Sequence, residues 1–246
     1  PANLAEIMKL KGEVLLKKGA YAEAAEFYDK VLTMGNMTWA RLGSGRADLL
    51  LGRYEDAKNR FEEILAQNNK VIAAYDELAR TYLKSGQPEE AQQVLMKAAA
   101  ISPRALLRHK TLGGLAYRNE DYTTAETSFR AAVVHGKHSC FKTTSDYTQL
   151  AKSMVMRDAL QESLQVLGQA SREFPESPDT RLHLSAAESL VYTKMNKPAE
   201  AKRALAQAHK YAQDLAGDLP SAVALDLAQA HLLAGEVEKE IGRASC

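Results

Sequence analysis

The chain has 246 residues and a formal net charge of +1, with 46% hydrophobic, 26% charged and 7% aromatic residues. This composition excludes disordered, collagen-like and disulfide-scaffold classes, and two cysteines, Cys140 and Cys246, fit a reducing, cytoplasmic setting. No apolar run approaches the roughly 20 residues of a membrane span, and nearly balanced charge advertises no phosphate-binding stripe, so neither a membrane nor a nucleic acid is an expected partner.

Taken in chain order, the apolar periodicity predicts helices at 2–18, 21–34, 38–51, 54–67, 71–85, 88–101, 105–119, 122–136, 144–157, 159–173, 178–196, 198–216, 219–234 and 236–243. One phrase punctuates them: a small residue, a turn, then an alanine followed four residues later by an aromatic or Leu. It reads Gly19-Ala20-Tyr21-Ala22-Glu23-Ala24 with Tyr28, Gly52 to Ala57 with Phe61, Gly86 to Ala91 with Leu95, and Asp121 to Ala125 with Phe129. Weaker copies are Gln161-Glu162-Ser163 with Leu167 and Pro198 to Ala201 with Leu205. The anchors Ala24, Ala57, Ala91, Ala125, Ser163 and Ala201 are spaced by 33, 34, 34, 38 and 38 residues. A period near 34 with two helical stripes per unit means stacked helical hairpins, each burying its apolar stripe on its neighbours.

The pattern resembles the tetratricopeptide repeat, Trp-x2-Leu-Gly-x2-Tyr, then Ala-x3-Phe, then Pro. It is matched by Tyr75, Leu78, Ala79, Tyr82, Ala91, Leu95 and Pro103, and again by Tyr147, Leu150, Ala151, Ser163, Leu167 and Pro175. In the second unit, Trp39-x2-Leu42-Gly43 comes two residues early, which predicts a longer first helix or a local insertion there. The resemblance implies an all-α, right-handed α-solenoid superhelix of about six to seven hairpins. It is expected to form a single solenoid over 1–246, with units at about 5–38, 38–71, 72–105, 106–143, 144–181 and 182–219 and a partial unit at 220–246. The start at Pro1 and the short last helix read as an excised or processed chain.

Catalytic signatures are missing, so no enzymatic activity is expected. Neither Gly-x-Ser-x-Gly nor a Gly-rich loop ending in Lys-Ser/Thr occurs. The run Leu42-Gly43-Ser44-Gly45 lies inside a helical pattern and reads as close helix packing, and the pairs Glu62-Glu63 and Glu89-Glu90 read as solvated faces. The cluster His135, His138 and Cys140 could offer zinc ligands, but a structural site needs four. It is read as a polar turn, with no metal and no cofactor expected. His183, His209 and His231 are far apart and are expected to cap or flank packing.

Binding remains as the function. In the family geometry the first helix of each hairpin lines the concave groove, which assigns Lys9, Glu13, Asp76, Glu77 and Lys84 to that face. The partner-binding residues read there are Arg46, Arg80, Lys110, Tyr117, Arg118 and Lys152. Their basic lean implies a protein partner presenting an acidic segment. A chaperone-tail clamp would need Lys, Asn, Asn, Lys and Arg at positions held by Lys9, Glu13, Arg46, Ala73 and Glu77, so that subfamily is disfavoured.

A narrower resemblance, to the tetratricopeptide output region of bacterial response regulators, rests on four stretches: Trp39 to Gly43, Ala74 to Arg80, Ser102-Pro103-Arg104 with Arg108, and His138-Ser139 with Asp146-Tyr147. It implies a two-component signalling module whose receiver domain would lie upstream. The alternatives are an adaptor in envelope or pilus assembly and an RNA-binding helical repeat.

Overall fold

The fold comes from a computed structural model that describes residues 2–174, 176–215 and Ala228. Among the described residues the secondary structure is twelve helices: α1 (Ala2–Lys17), α2 (Tyr21–Leu32), α3 (Thr38–Leu50), α4 (Tyr54–Gln67), α5 (Ile72–Lys84), α6 (Pro88–Ile101), α7 (Leu106–Arg118), α8 (Tyr122–His135), α9 (Thr144–Met156), α10 (Leu160–Glu173), α11 (Pro178–Lys194) and α12 (Pro198–Asp214). Each predicted helix up to 198–216 is found, most of them shortened by one or two residues at an end, where capping rather than periodicity sets the limit. Apart from Ala228, the helices expected at 219–234 and 236–243 lie outside the described residues.

Local chemistry explains the boundaries. Pro88, Pro178 and Pro198 open their helices, where a missing amide donor costs nothing. The Asp121 and Ser177 side chains cap the amides of Thr124 and Thr180, and Thr143 with Asp146 forms a reciprocal capping box on α9. Within every hairpin the first helix ends on the same left-handed residue. It is Gly19, Gly52 and Gly86, with φ of 78°, 79° and 77°, and then Glu120, Asp158 and Asn196, with φ of 60°, 62° and 54°. The next amide closes the turn on the carbonyl five residues back, as in Ala20 to Leu15, Gln87 to Tyr82 and Asp121 to Ala116.

The chain divides into two compact units, one ending at Arg104 and holding α1–α6, the other starting at Ala105 and holding α7–α12. In the first, the Tyr28 ring is fully enclosed. A Cβ added at Gly12 or at Gly43 would fall 2.3 Å from its Cζ, so its own hairpin and the next one both close on it through glycine. Trp39 meets Tyr28 edge-on at 6.3 Å. In the second unit the core runs through Phe129, Tyr147, Leu150, Met154, Leu167 and Leu190.

One offset organises the six hairpins of the described residues: a small residue precedes its large partner by sixteen positions. The pairs are Gly12–Tyr28, Gly45–Phe61, Ala79–Leu95, Gly113–Phe129, Ala151–Leu167 and Ser189–Leu205. A Cβ added at Gly45 would lie 2.6 Å from the Phe61 ring, and one at Gly113 3.0 Å from that of Phe129. This corrects the expectation of a longer helix or insertion in the second hairpin. Helix α3 has 13 residues like α5, α7 and α9, and Gly45 occupies the small slot, leaving Gly43 to contact the preceding hairpin.

The two 38-residue spacings have different origins. The first is absorbed by a longer connection, 136–143, between α8 and α9; the second by an extra turn, Pro178 to Arg181, at the start of the 17-residue α11. Arg181 is held there by Glu176 and Ser171.

Candidate partner-binding surface

In the first unit the structure brings Arg46 and Arg80 together on one carboxylate. Glu77 projects from α5 between them and is almost fully buried. Arg46 of α3 donates Nε–H to its Oε1 at 2.7 Å, and Arg80 Nη1 lies 3.5 Å from its Oε2. A buried carboxylate is costly without a hydrogen-bonded cation, so Arg46 serves Glu77 first. The Arg80 guanidinium remains 63% exposed and keeps donors for another acceptor.

In the second unit Lys110 is committed in the same way. Its Nζ donates to the Phe141 carbonyl at 2.6 Å and lies 2.8 Å from Asp146 Oδ2, a buried carboxylate that also accepts the Thr143 amide. Lys110 thereby fastens the long 136–143 connection onto α7. Tyr117 is half-buried and packs edge-on against Tyr122 at 5.4 Å. Arg118, in the last turn of α7, is exposed. Lys152 is buried at 6% exposure inside α9.

Of the six cationic and aromatic positions, therefore, Arg80 and Arg118 stand open to solvent, Arg46 and Lys110 are tied to buried acids, Tyr117 packs half-buried on Tyr122, and Lys152 is interior. Within each unit the expected basic lean is reduced by an acid from the neighbouring hairpin, Glu77 against Arg46 in the first and Asp146 against Lys110 in the second. Nothing in their local spacing marked them as partners across a repeat. Apolar contacts were also missed: Leu107, one helical turn before Lys110, and Phe141, in the fastened connection, are 60% and 59% exposed.

The remaining candidates have structural settings. His135 stacks near the buried His109 with ring centroids 6.1 Å apart, and Cys140 is exposed. Among the described residues no three His, Cys, Asp or Glu side chains converge as a metal site. His183 lies 3.7 Å from Asp179, and His209 Nδ1 is 2.9 Å from the Leu205 carbonyl; His231 is outside the described residues. Glu173 gathers three donors. It accepts from Lys142 Nζ at 2.5 Å, from the Tyr147 hydroxyl at 2.6 Å and from Gln169 at 2.6 Å, and these donors hold its carboxyl down at about 2. Burial, with the adjoining Glu173 carboxylate, raises the Tyr147 phenol well above its ordinary value. Among the described residues no helix is long and apolar enough to cross a membrane.

The tetratricopeptide repeat model matches residues 15–78 and 49–112, the stretch in which the sixteen-residue offset and the left-handed glycines are clearest. Residues 15–112 of the chain are tetratricopeptide repeats. A TPR repeat-containing thioredoxin of Arabidopsis thaliana is 28% identical over 142 residues, which take in 54% of this chain and 21% of that protein. Two solved TPR structures share the fold. YrrB, described as a TPR protein with an unusual peptide-binding site, superposes with a TM-score of 0.61 at 16% identity, over 87% of this chain and 99% of that one. The C-terminal part of a TPR repeat-containing protein from Cytophaga hutchinsonii gives 0.62 at 15% identity, over 84% and 80%.

Proposed function

We propose that this TPR chain is a non-enzymatic protein-interaction scaffold that holds an extended segment of a partner protein against the first helices of its hairpins. The observation that carries this reading is the division of labour among the cations. Arg46 and Lys110 are committed to Glu77 and Asp146, which fixes the helices, while Arg80 and Arg118 project from the first helices of their hairpins with unused donors. A surface already fixed by packing loses little entropy when a segment docks. The peptide-binding site named for YrrB supports the same use of the fold. In the second unit Leu107 and Phe141 add exposed apolar surface beside Lys110, which suits a segment combining acidic side chains with an apolar anchor.

Replacing Arg80 and Arg118 by Glu is expected to abolish capture of the partner from lysate while leaving the helical circular dichroism unchanged. Capture that survives the double substitution removes this reading. A signalling-output role rests on the sequence phrases around Trp39, Tyr75, Pro103 and Asp146. A receiver domain encoded upstream of Pro1 supports it, and an export signal there supports the envelope or pilus adaptor instead. The RNA-binding alternative predicts binding that falls steeply with salt, and near-zero net charge weighs against it. Filter binding at two salt concentrations separates these readings.

A further inference from the structure

On the second helices of the second unit, α8 and α10 flank a cavity of about 720 Å³ that neither Arg118 nor Lys110 lines. A smaller cavity of about 240 Å³ continues it, and the two share Arg130, Val166 and Gln169. Their lining on α10 runs from Glu162 to Glu173, roughly 16 Å of helix, enough for about five residues of extended chain. Leu150 and Met154 of α9 contribute apolar lining, so the trough has apolar walls as well as charged ones.

The charges of this trough are not in balance. Glu126 accepts from Arg130 at 2.6 Å and from Arg157 at 2.5 Å, so one carboxylate gathers two guanidiniums and leaves one positive charge over. Burial pushes the Glu126 carboxyl up, but the two arginine hydrogen bonds outweigh it and hold the group below the ordinary carboxylate value, so the triad stays charged at neutral pH. Glu173 is neutralised by Lys142, which does not line the trough. Arg172 and Lys137 line it, are exposed or half-exposed, and have no ion pair or hydrogen bond among the described residues; only Glu162 opposes them. Each arginine of the triad uses one donor on Glu126 and has others left for a ligand.

We propose that the trough between α8 and α10 is a second docking site, taking a short extended protein segment that carries acidic side chains around an apolar centre. Carboxylates of the segment pair with Arg172, Lys137 and the free donors of Arg130 and Arg157, and the apolar centre rests against Val134 and Val166. The site is independent of Arg80 and Arg118, so the scaffold can hold two segments at once and gain avidity from a bivalent partner.

The test uses the full chain and a fluorescein-labelled Glu-rich peptide with a Leu-Val centre, read by fluorescence anisotropy. Saturable binding is expected, weakened about tenfold by Arg172→Glu with Lys137→Glu, and lost when the peptide's acids are replaced by Gln. Val134→Asp, at an exposed position on the trough, should weaken binding as well. All three positions are open to solvent, and unchanged helicity checks that the variants fold. The measurements are repeated in the Arg80→Glu, Arg118→Glu background, which removes the first-helix surface as a second acceptor of the peptide; saturable binding there, with the affinity within twofold and the same response to Arg172→Glu with Lys137→Glu, is expected. Absence of binding, affinity indifferent to the Arg172 and Lys137 reversals, or loss of binding in the Arg80 and Arg118 variant each overturns the proposal. Because the two double variants report on different surfaces, this site and the first-helix surface succeed or fail separately.

Discussion

At the scale of single residues, glycines in this chain have opposite roles that their neighbours decide. Gly43 leaves room for the buried Tyr28 ring, which Gly12 confines from the other side, so the ring cannot give way to a methyl group. Gly43→Ala is expected to lower stability by about 1–3 kcal/mol, despite the roughly 1 kcal/mol that alanine gains within a helix. Gly114 lies one residue after Gly113 on α7, but a Cβ added there would meet nothing within 4 Å, so Gly114→Ala should raise stability by about 0.5–1 kcal/mol. Urea denaturation of the pair checks both signs. The same scale separates structural cations from displayed ones. Lys110→Ala strands the buried Asp146 carboxylate and should cost about 3 kcal/mol, whereas Arg118→Ala, at an exposed position, should change stability by less than about 0.5 kcal/mol. Denaturation midpoints compared at constant m distinguish them.

At the scale of elements, the hairpin turn and the link between α9 and α10 each yield a test. The left-handed turn residue is glycine in the first three hairpins but Glu120, Asp158 and Asn196 in the next three. A side chain with a Cβ costs about 1 kcal/mol in that conformation, so Glu120→Gly should raise the melting temperature and Gly86→Glu should lower it. Thermal circular dichroism of the two variants reads the effect. Glu173 links α10 to Tyr147 of α9 and to Lys142 of the connection. Its carboxyl sits at about 2 when folded, against an ordinary 4.5. Its stabilisation is therefore complete above pH 4.5 and drains away as the pH falls toward 2, because the unfolded chain takes up the proton first. Glu173→Gln should flatten the acid limb of the stability profile across that window, leaving the slope above about pH 5 unaltered; urea midpoints measured along the pH series report it.

At the scale of the molecule, a stack of hairpins derives stability from each interface between neighbours. Ending the chain at Glu176 removes α11 and α12 and uncovers the core residues of α9 and α10 that Leu184, Ala187, Leu190 and Val191 cover. The truncated protein should melt at least several degrees lower and less sharply, while the first unit keeps its helical signal; an unchanged melting curve would show that the removed segment adds nothing. Partner capture belongs to this scale too, since it depends on surfaces assembled from several hairpins rather than on one side chain.

Much of this was legible in the sequence. A period near 34, the alanine anchors and the small-before-large pairs determine helices and hairpins, because helix packing reads residue size at fixed offsets along one chain. The tertiary structure decided what periodicity cannot: that Gly45 rather than Gly43 fills the small slot of α3, that one long spacing is loop and the other is helix, and that Arg46 and Lys110 are already bound to Glu77 and Asp146. Those pairs lie 31 and 36 residues apart, on different hairpins. Charges at such separations meet only after neighbouring hairpins have stacked. The near-zero net charge was plain from composition alone, but which cations are neutralised and which are left for a partner is settled by contacts between hairpins.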